Sequence, residues 1–205
     1  MNFDHTAFAV FNEPELAGRM AAIQARIQPT FQYFGDILAE HLHEQSSQST
    51  EVFVHIAKHL RRTTYPPEST WVAIGGDKRG YKKYPHFQIG INEHYVFFTL
   101  ALIDNPLHEK EIAQLWQQKL SVFKELPQDF AVIPDHTQFG FQEGPDIDWA
   151  NLLERLEKVK KAELMIGRIY PKDSAILSDS KLLTKSFIET QDELMPFYME
   201  AMSFY

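Results

Sequence analysis

Apolar positions along this chain change period as it proceeds. Leu16, Met20, Ile23 and Ile27 recur at helical spacing, and Pro29 fits the first position of a second helix running to about His41. Gln45 to Thr50 is polar throughout and reads as a loop. Residues 52–60 are ambiguous. Phe53, Ile56, Ala57 and Leu60 fit one helix face, whereas the β-branched start and the alternation of Val54, Ile56 and Leu60 fit a strand. The strand is preferred because three clear strands follow: Trp71 to Gly75, Pro85 to Asn92 and Tyr95 to Ile103. Asn92-Glu93-His94 makes a tight hairpin between the last two.

Helical spacing then returns. Leu107 to Leu126 places Ile112, Leu115, Trp116, Leu120 and Phe123 on one face. Phe130 to Ile133 is a short strand, 134–147 a Pro/Gly/Asp loop, and Asp148 caps a helix to about Lys161. Ala162 to Tyr170 is a further strand, and Ser180 to about Met202 a final helix. Helices, then strands, then alternating elements specify an α+β fold. Its sheet is mainly antiparallel, with helices packed on one face, and residues 1–205 form a single domain.

Strand alternation sorts the side chains of this sheet. His55, Ala57, His59 and Arg61 share one face of the first strand, Trp71, Ala73 and Gly75 one face of the second, and His86, Gln88 and Gly90 one face of the third. Val54, Val72, Ile74, Phe87 and Ile89 point the other way. One side is therefore apolar, while the other sets imidazoles, an amide, a guanidinium and an indole beside Ala and Gly. That is the pattern of a ligand cup. An antiparallel sheet also commonly leaves one face to solvent, which needs no ligand. Imidazoles are unusual on such a face, however, and Trp71 would be badly placed in open water.

Composition narrows the chemistry. Hydrophobic residues at 44% and charged residues at 23% exclude a disordered chain, and 16 Phe, 8 Tyr and 3 Trp ask for a large buried layer. The absence of cysteine removes disulfides, thiolate nucleophiles and Cys-ligated metals. The start has no basic stretch followed by an apolar one, and the longest apolar run, Tyr95 to Ile103, is too short to span a bilayer. A cytoplasmic protein without a membrane partner is expected. Net charge is −8, yet residues 55–83 hold seven Lys and Arg against Glu68 and Asp77, a local +5 that leaves −13 for the rest.

That basic island includes the loop Gly76-Asp77-Lys78-Arg79-Gly80-Tyr81-Lys82-Lys83. It is not a Walker sequence and leads into a strand, so a helix N-terminus is not the phosphate grip here. Arginines can still hold a phosphate or carboxylate bidentately. The cup therefore fits a small phosphate- or carboxylate-bearing ligand, with His55, His59, Arg61, His86 and Gln88 lining it, Trp71 packing on the ligand, and Lys78 and Arg79 closing from the loop. Were it an enzyme, His59 or His86 is the best acid–base candidate. A different class, a single-stranded nucleic-acid or nucleotide module, is suggested by Tyr65, Trp71, Tyr81 and Tyr84 interleaved with basic residues, and the net charge counts against it. A third is a non-enzymatic protein whose basic island meets an acidic partner.

No metal site is expected. His55 and His59 lack the zincin glutamate and on a strand lie about 13 Å apart. His41 and His43 at a helix end read as solvated. Asp135-His136 forms an adjacent acid–base pair, though adjacency within a loop carries little. No cofactor or oligomeric state is legible.

The run His55-Ile-Ala-Lys-His-Leu-Arg-Arg-Thr-Thr-Tyr-Pro-Pro67, then Trp71-Val-Ala, then Lys78-Arg-Gly-Tyr-Lys-Lys-Tyr-Pro-His-Phe-Gln-Ile-Gly90 resembles the YktB-like family of uncharacterised bacterial proteins. Asp129-Phe130, Asp135-His136 and Lys160-Lys-Ala-Glu-Leu164 look like family segments too. The resemblance implies an α+β fold over nearly the whole chain and carries no catalytic assignment.

Overall fold

A computed structural model of the chain describes residues 1–46, 51–103 and 106–205. The N-terminal helices α1 (His5–Ala9), α2 (Leu16–Ala22) and α3 (Gln28–Ser46) begin at Asp4, whose carboxylate accepts from the Thr6 amide. The expected break at Pro29 is not a break. A π-helical turn, Ile23–Ile27, joins α2 to α3, and Pro29 is the second residue of α3. A proline has no N–H to give to the preceding turn, and the wider turn absorbs the mismatch. Of the expected polar loop, Gln45 and Ser46 belong to α3, while residues 47–50 lie outside the described residues.

Seven strands follow: β1 (Val54–Ile56), β2 (Ser69–Ile74), β3 (His86–Asn92), β4 (Tyr95–Leu102), β5 (Phe130–Ile133), β6 (Gln142–Glu143) and β7 (Leu164–Pro171). They form one sheet in the order β1-β2-β3-β4-β7-β5-β6, with every neighbouring pair antiparallel. Between them lie α4 (Glu109–Gln117), α5 (Leu120–Lys124) and α6 (Trp149–Lys158), with α7 (Ser180–Met202) last. Asp148 and Asp179 cap α6 and α7 by accepting from backbone amides of the first turn. The single helix expected at 107–126 is divided into α4 and α5.

Register fixes which side chains share a face. Ile56, Val72, Ile89, Phe98, Arg168 and Phe130 form one rung on the helix side. Helices α3 and α7 pack on this side and on each other, and α4 packs on α6. The Phe-rich composition is spent here: Phe34 and Phe98 both pack on Phe187, and Phe87 on Phe98, with ring centroids 5.1–5.8 Å apart. Each such pair adds about 0.5–1.5 kcal/mol beyond the area it buries.

The first strand corrects the sequence reading. β1 covers three residues, and the chain turns away at His59, whose φ is +50°. Alternation therefore stops at Ile56. His59 instead lies beyond the end of β1 and bonds Thr70 Oγ1 of β2 at 3.1 Å.

Candidate functional site

On the side away from the helices, three rungs run across the sheet. Trp71, Gly90, Phe97 and Ile169 form one, His55, Ala73, Gln88, Thr99 and Gly167 the next, and His86, Ala101, Met165 and Ile133 the third. The room expected over Gly90 is occupied. A Cβ there would lie 2.1 Å from the Phe97 ring, so that ring sits directly on the glycine. Tyr95, Phe97, Ala101, Ile103, Ile133 and Met165 make a second apolar cluster, with Phe139 packed on it. Among the described residues, the polar side chains of this face gather at its β1–β3 end, with the buried Thr99 of β4 beside them.

There the rings form a connected array. The indole N–H of Trp71 donates to the Tyr81 hydroxyl at 2.7 Å. Tyr81 packs on His86 at 4.7 Å and His55 at 5.6 Å, while His59 and His136 meet Trp71 edge-on at 5.4 and 5.9 Å. The 75–85 segment that carries Tyr81 is braced by Asp77. Its carboxylate accepts from the Arg79 and Gly80 amides and the Tyr84 hydroxyl, and its carbonyl from His55 Nε2. Gly76, at φ +77°, permits this tight fold, because a Cβ would lie 2.6 Å from the Gly80 carbonyl oxygen. At the far side of the site, the buried Arg19 donates to the Pro67 carbonyl at 2.9 Å and pins the 57–67 segment.

Between these segments lies a cleft of about 620 Å³. Trp71 and Tyr81 form its aromatic wall, and Lys58, Arg61, Arg62, Lys82, His59 and His136 supply the rest of its chemistry. None of the described residues lining it carries a carboxylate. A smaller space of about 100 Å³ adjoins it and shares His59, Arg62, Trp71 and His136.

The imidazoles are tuned in opposite directions. Burial, with the Arg62 charge nearby, pushes His59 down to about 4. Burial likewise pushes His86 down to about 4, against the help of its Nδ1 hydrogen bond to the Tyr84 carbonyl. His136 moves upward, because the Glu163 carboxylate accepts from its Nδ1 at 2.7 and 2.8 Å and outweighs the effect of burial. The same carboxylate accepts the His136 backbone N–H at 2.9 Å. Behind the pair, Arg155 donates to the carbonyls of Pro134 and Glu163 at 3.0 and 3.4 Å. Burial also lifts the Glu109 carboxyl to about 7, with Glu163 adding to the rise.

Asp135, His136 and Glu163 bring one donor atom each to within 4.8 Å of one another, a spacing a divalent ion can bridge. Their donors already serve one another and Thr137, whose amide and hydroxyl both bind Asp135 Oδ1.

Of the sequence-derived site residues, His59, Arg61 and Trp71 line the cleft. His55 lies beside Tyr81 and is held by the Asp77 carbonyl. His86 and Gln88 are buried beneath Tyr81, 3.3 Å apart at their polar ends, and do not line the cleft. Lys78 and Arg79 sit exposed at the loop tip, outside the lining. The sequence offers Arg62 as a phosphate grip and places Lys82 in the basic loop, but gives no sign of the parts played by Arg155 and Glu163. His41, read as solvated, pairs with Asp192 of α7 at 2.6 Å.

Together these features define an α+β protein with an antiparallel sheet, helices on one face and a cationic, aromatic-walled cleft on the other. The family model described as a domain of unknown function, DUF1054, matches residues 3–198, and the chain belongs to that family. The YktB-like resemblance fits it. The chain is 44% identical to a UPF0637 protein of Enterococcus faecalis over 201 residues, covering 98% of each chain. A UPF0637 protein of Listeria monocytogenes serotype 4a is 41% identical over 196 residues, 96% of this chain and 95% of its own. One from Oceanobacillus iheyensis is 41% identical over 199 residues, 97% and 96% of the two chains. These descriptions name no reaction. Among the described residues no helix is long and apolar enough to cross a membrane.

Proposed function

We propose that the cleft beside Trp71 binds a small phosphate- or carboxylate-bearing molecule in the cytoplasm. The observation that carries this reading is the cleft's charge: four Lys and Arg side chains, with no carboxylate among its described lining residues, in a chain of net charge −8. A cleft with walls of one sign concentrates counter-ions far more than an exposed charge run does. Its volume suits a metabolite-sized ligand, and Trp71 with Tyr81 offers a flat surface for an apolar or ring-bearing part. In this reading His59, Arg61 and Trp71, which line the cleft, contact the ligand. Lys78 and Arg79, at the loop tip, would serve only as outlying attraction.

The test is calorimetric titration with inorganic phosphate and pyrophosphate at low salt, comparing the parent with the Arg61→Ala/Arg62→Ala double variant. Both arginines are exposed, so the melting temperature should stay within a few degrees while affinity falls about tenfold or more. Equal affinity in the two proteins, or no binding by the parent, would remove this reading.

A nucleic-acid module has one observation in its favour. Tyr65 and Leu60 stand 76% and 84% exposed beside Arg61 and Arg62, as a stacking platform would. Single-stranded DNA binding that weakens steeply with salt, stronger than that of pyrophosphate, would support this second reading.

A further inference from the structure

We propose that His136 and Glu163 form a proton-transfer dyad acting on a phosphate ester seated in the cleft, with His136 Nε2 as the working atom. This rests on the cleft's binding an anion and goes beyond it, to a reaction.

The dyad is built rather than incidental. Glu163, the residue before β7, grips His136 twice, at the ring Nδ1 and at the backbone N–H. Arg155 of α6 then ties the carbonyls of Pro134 and Glu163 together, so the two partners are held from behind by a third element. A carboxylate that accepts from Nδ1 fixes the tautomer, and Nε2 becomes the ring nitrogen left to meet a ligand. His136 lines the cleft with Trp71 at its edge, among Arg61, Arg62 and Lys82. A structural ion pair has no need of such a position.

The charged groups around His136 come from several elements. Glu163 and Asp135 favour its protonated form, and Lys82 opposes it. Glu109 of α4 and Arg155 of α6 act on Glu163 from behind. The net effect raises the imidazole above its ordinary value, which favours the protonated form that gives a proton first.

In the reaction, a water oxygen forms a bond to phosphorus while the bond from phosphorus to the leaving oxygen breaks. The Nε2 proton passes to that departing oxygen, giving an alcohol or phenol. The proton lost by the attacking water restores the imidazolium. Arg61, Arg62 and Lys82 take up the charge on the non-bridging oxygens.

The test uses the full chain with bis(p-nitrophenyl) phosphate and p-nitrophenyl phosphate, following nitrophenol release, beside calorimetry with inorganic phosphate. His136→Asn keeps a side-chain N–H for Glu163 and removes Nε2. It should melt like the parent, bind phosphate measurably though several-fold more weakly, and lose about 100-fold or more in kcat. Glu163→Gln, a positioning change, should move the alkaline limb of the pH–rate profile to lower pH, which a merely structural role would not do. Phosphate binding without hydrolysis of either ester, or full kcat in His136→Asn, would overturn the dyad while leaving the binding site intact. Failure of the parent to bind phosphate would instead bring down the site reading beneath it.

Discussion

The Trp71 indole N–H and the Tyr81 hydroxyl are joined by a 2.7 Å hydrogen bond that links β2 to the 75–85 segment. This contact decides what the sheet's polar end becomes. It holds the Tyr81 ring over His86, sealing that imidazole, and leaves the other edge of Trp71 for His59 and His136. A sheet face that would otherwise be wet is divided into a dry layer and a cleft.

Tyr81→Phe should therefore cost about 1 kcal/mol of stability, with water partly replacing the lost partner because Trp71 is only half-buried. Chemical denaturation measures the loss, and tryptophan emission should shift to the red, since Trp116 and Trp149 are buried and unaffected. An unchanged spectrum and midpoint would mean that the bond organises nothing.

Stability should rise between about pH 4 and pH 6.5. His86 and His59 are pushed to about 4 in the fold, below the unfolded value near 6.5. The folded state then binds fewer protons than the unfolded one between those values, so stability grows with pH across the window and is lost as pH falls through it. For fully buried His86 the gain is on the order of 3 kcal/mol, at 1.36 kcal/mol per pH unit. Raised His136 works oppositely, its contribution fading as pH climbs above its folded value. Denaturation at several pH values should show a clearly shallower slope for His86→Leu than for the parent. Parallel slopes would contradict a neutral buried His86.

Gly90→Ala and Gly167→Ala should both destabilise, by about 1–3 kcal/mol or more, for different reasons. At Gly90 the added carbon meets the Phe97 ring at 2.1 Å, and at Gly167 it meets the Phe98 backbone oxygen at 2.0 Å. Phe97→Ala should therefore relieve Gly90→Ala in a double-mutant cycle, while no side-chain change at Phe98 should rescue Gly167→Ala. Strict additivity of Gly90→Ala with Phe97→Ala would contradict the stacked arrangement.

Period and punctuation carried most of the fold into the sequence. β3 to β5, the hairpin at Asn92, the Asp148 cap and the limits of α7 were all legible, because each rests on local rules of alternation, turn chemistry and capping. β1 was overextended because Leu60 seemed to continue an alternation that the positive φ of His59 ends, and no local signal announces that turn. Facing sorted the imidazoles correctly as far as Ile56 but said nothing of depth. His86 and Gln88 are covered by Tyr81, and Gly90 by Phe97, both long-range contacts. The His136–Glu163 pair spans 27 residues of sequence. Asp135-His136 hinted at one half, and no spacing rule points to the other.

The most direct measurement is a histidine-resolved NMR titration with and without inorganic phosphate, using exposed His5 as an internal control. Phosphate should raise the titration midpoints of His59 and His136 together and shift the Trp71 indole N–H, leaving His5 and buried His86 nearly unmoved. Histidines that respond to phosphate no more than His5 does would contradict an anion site in this cleft.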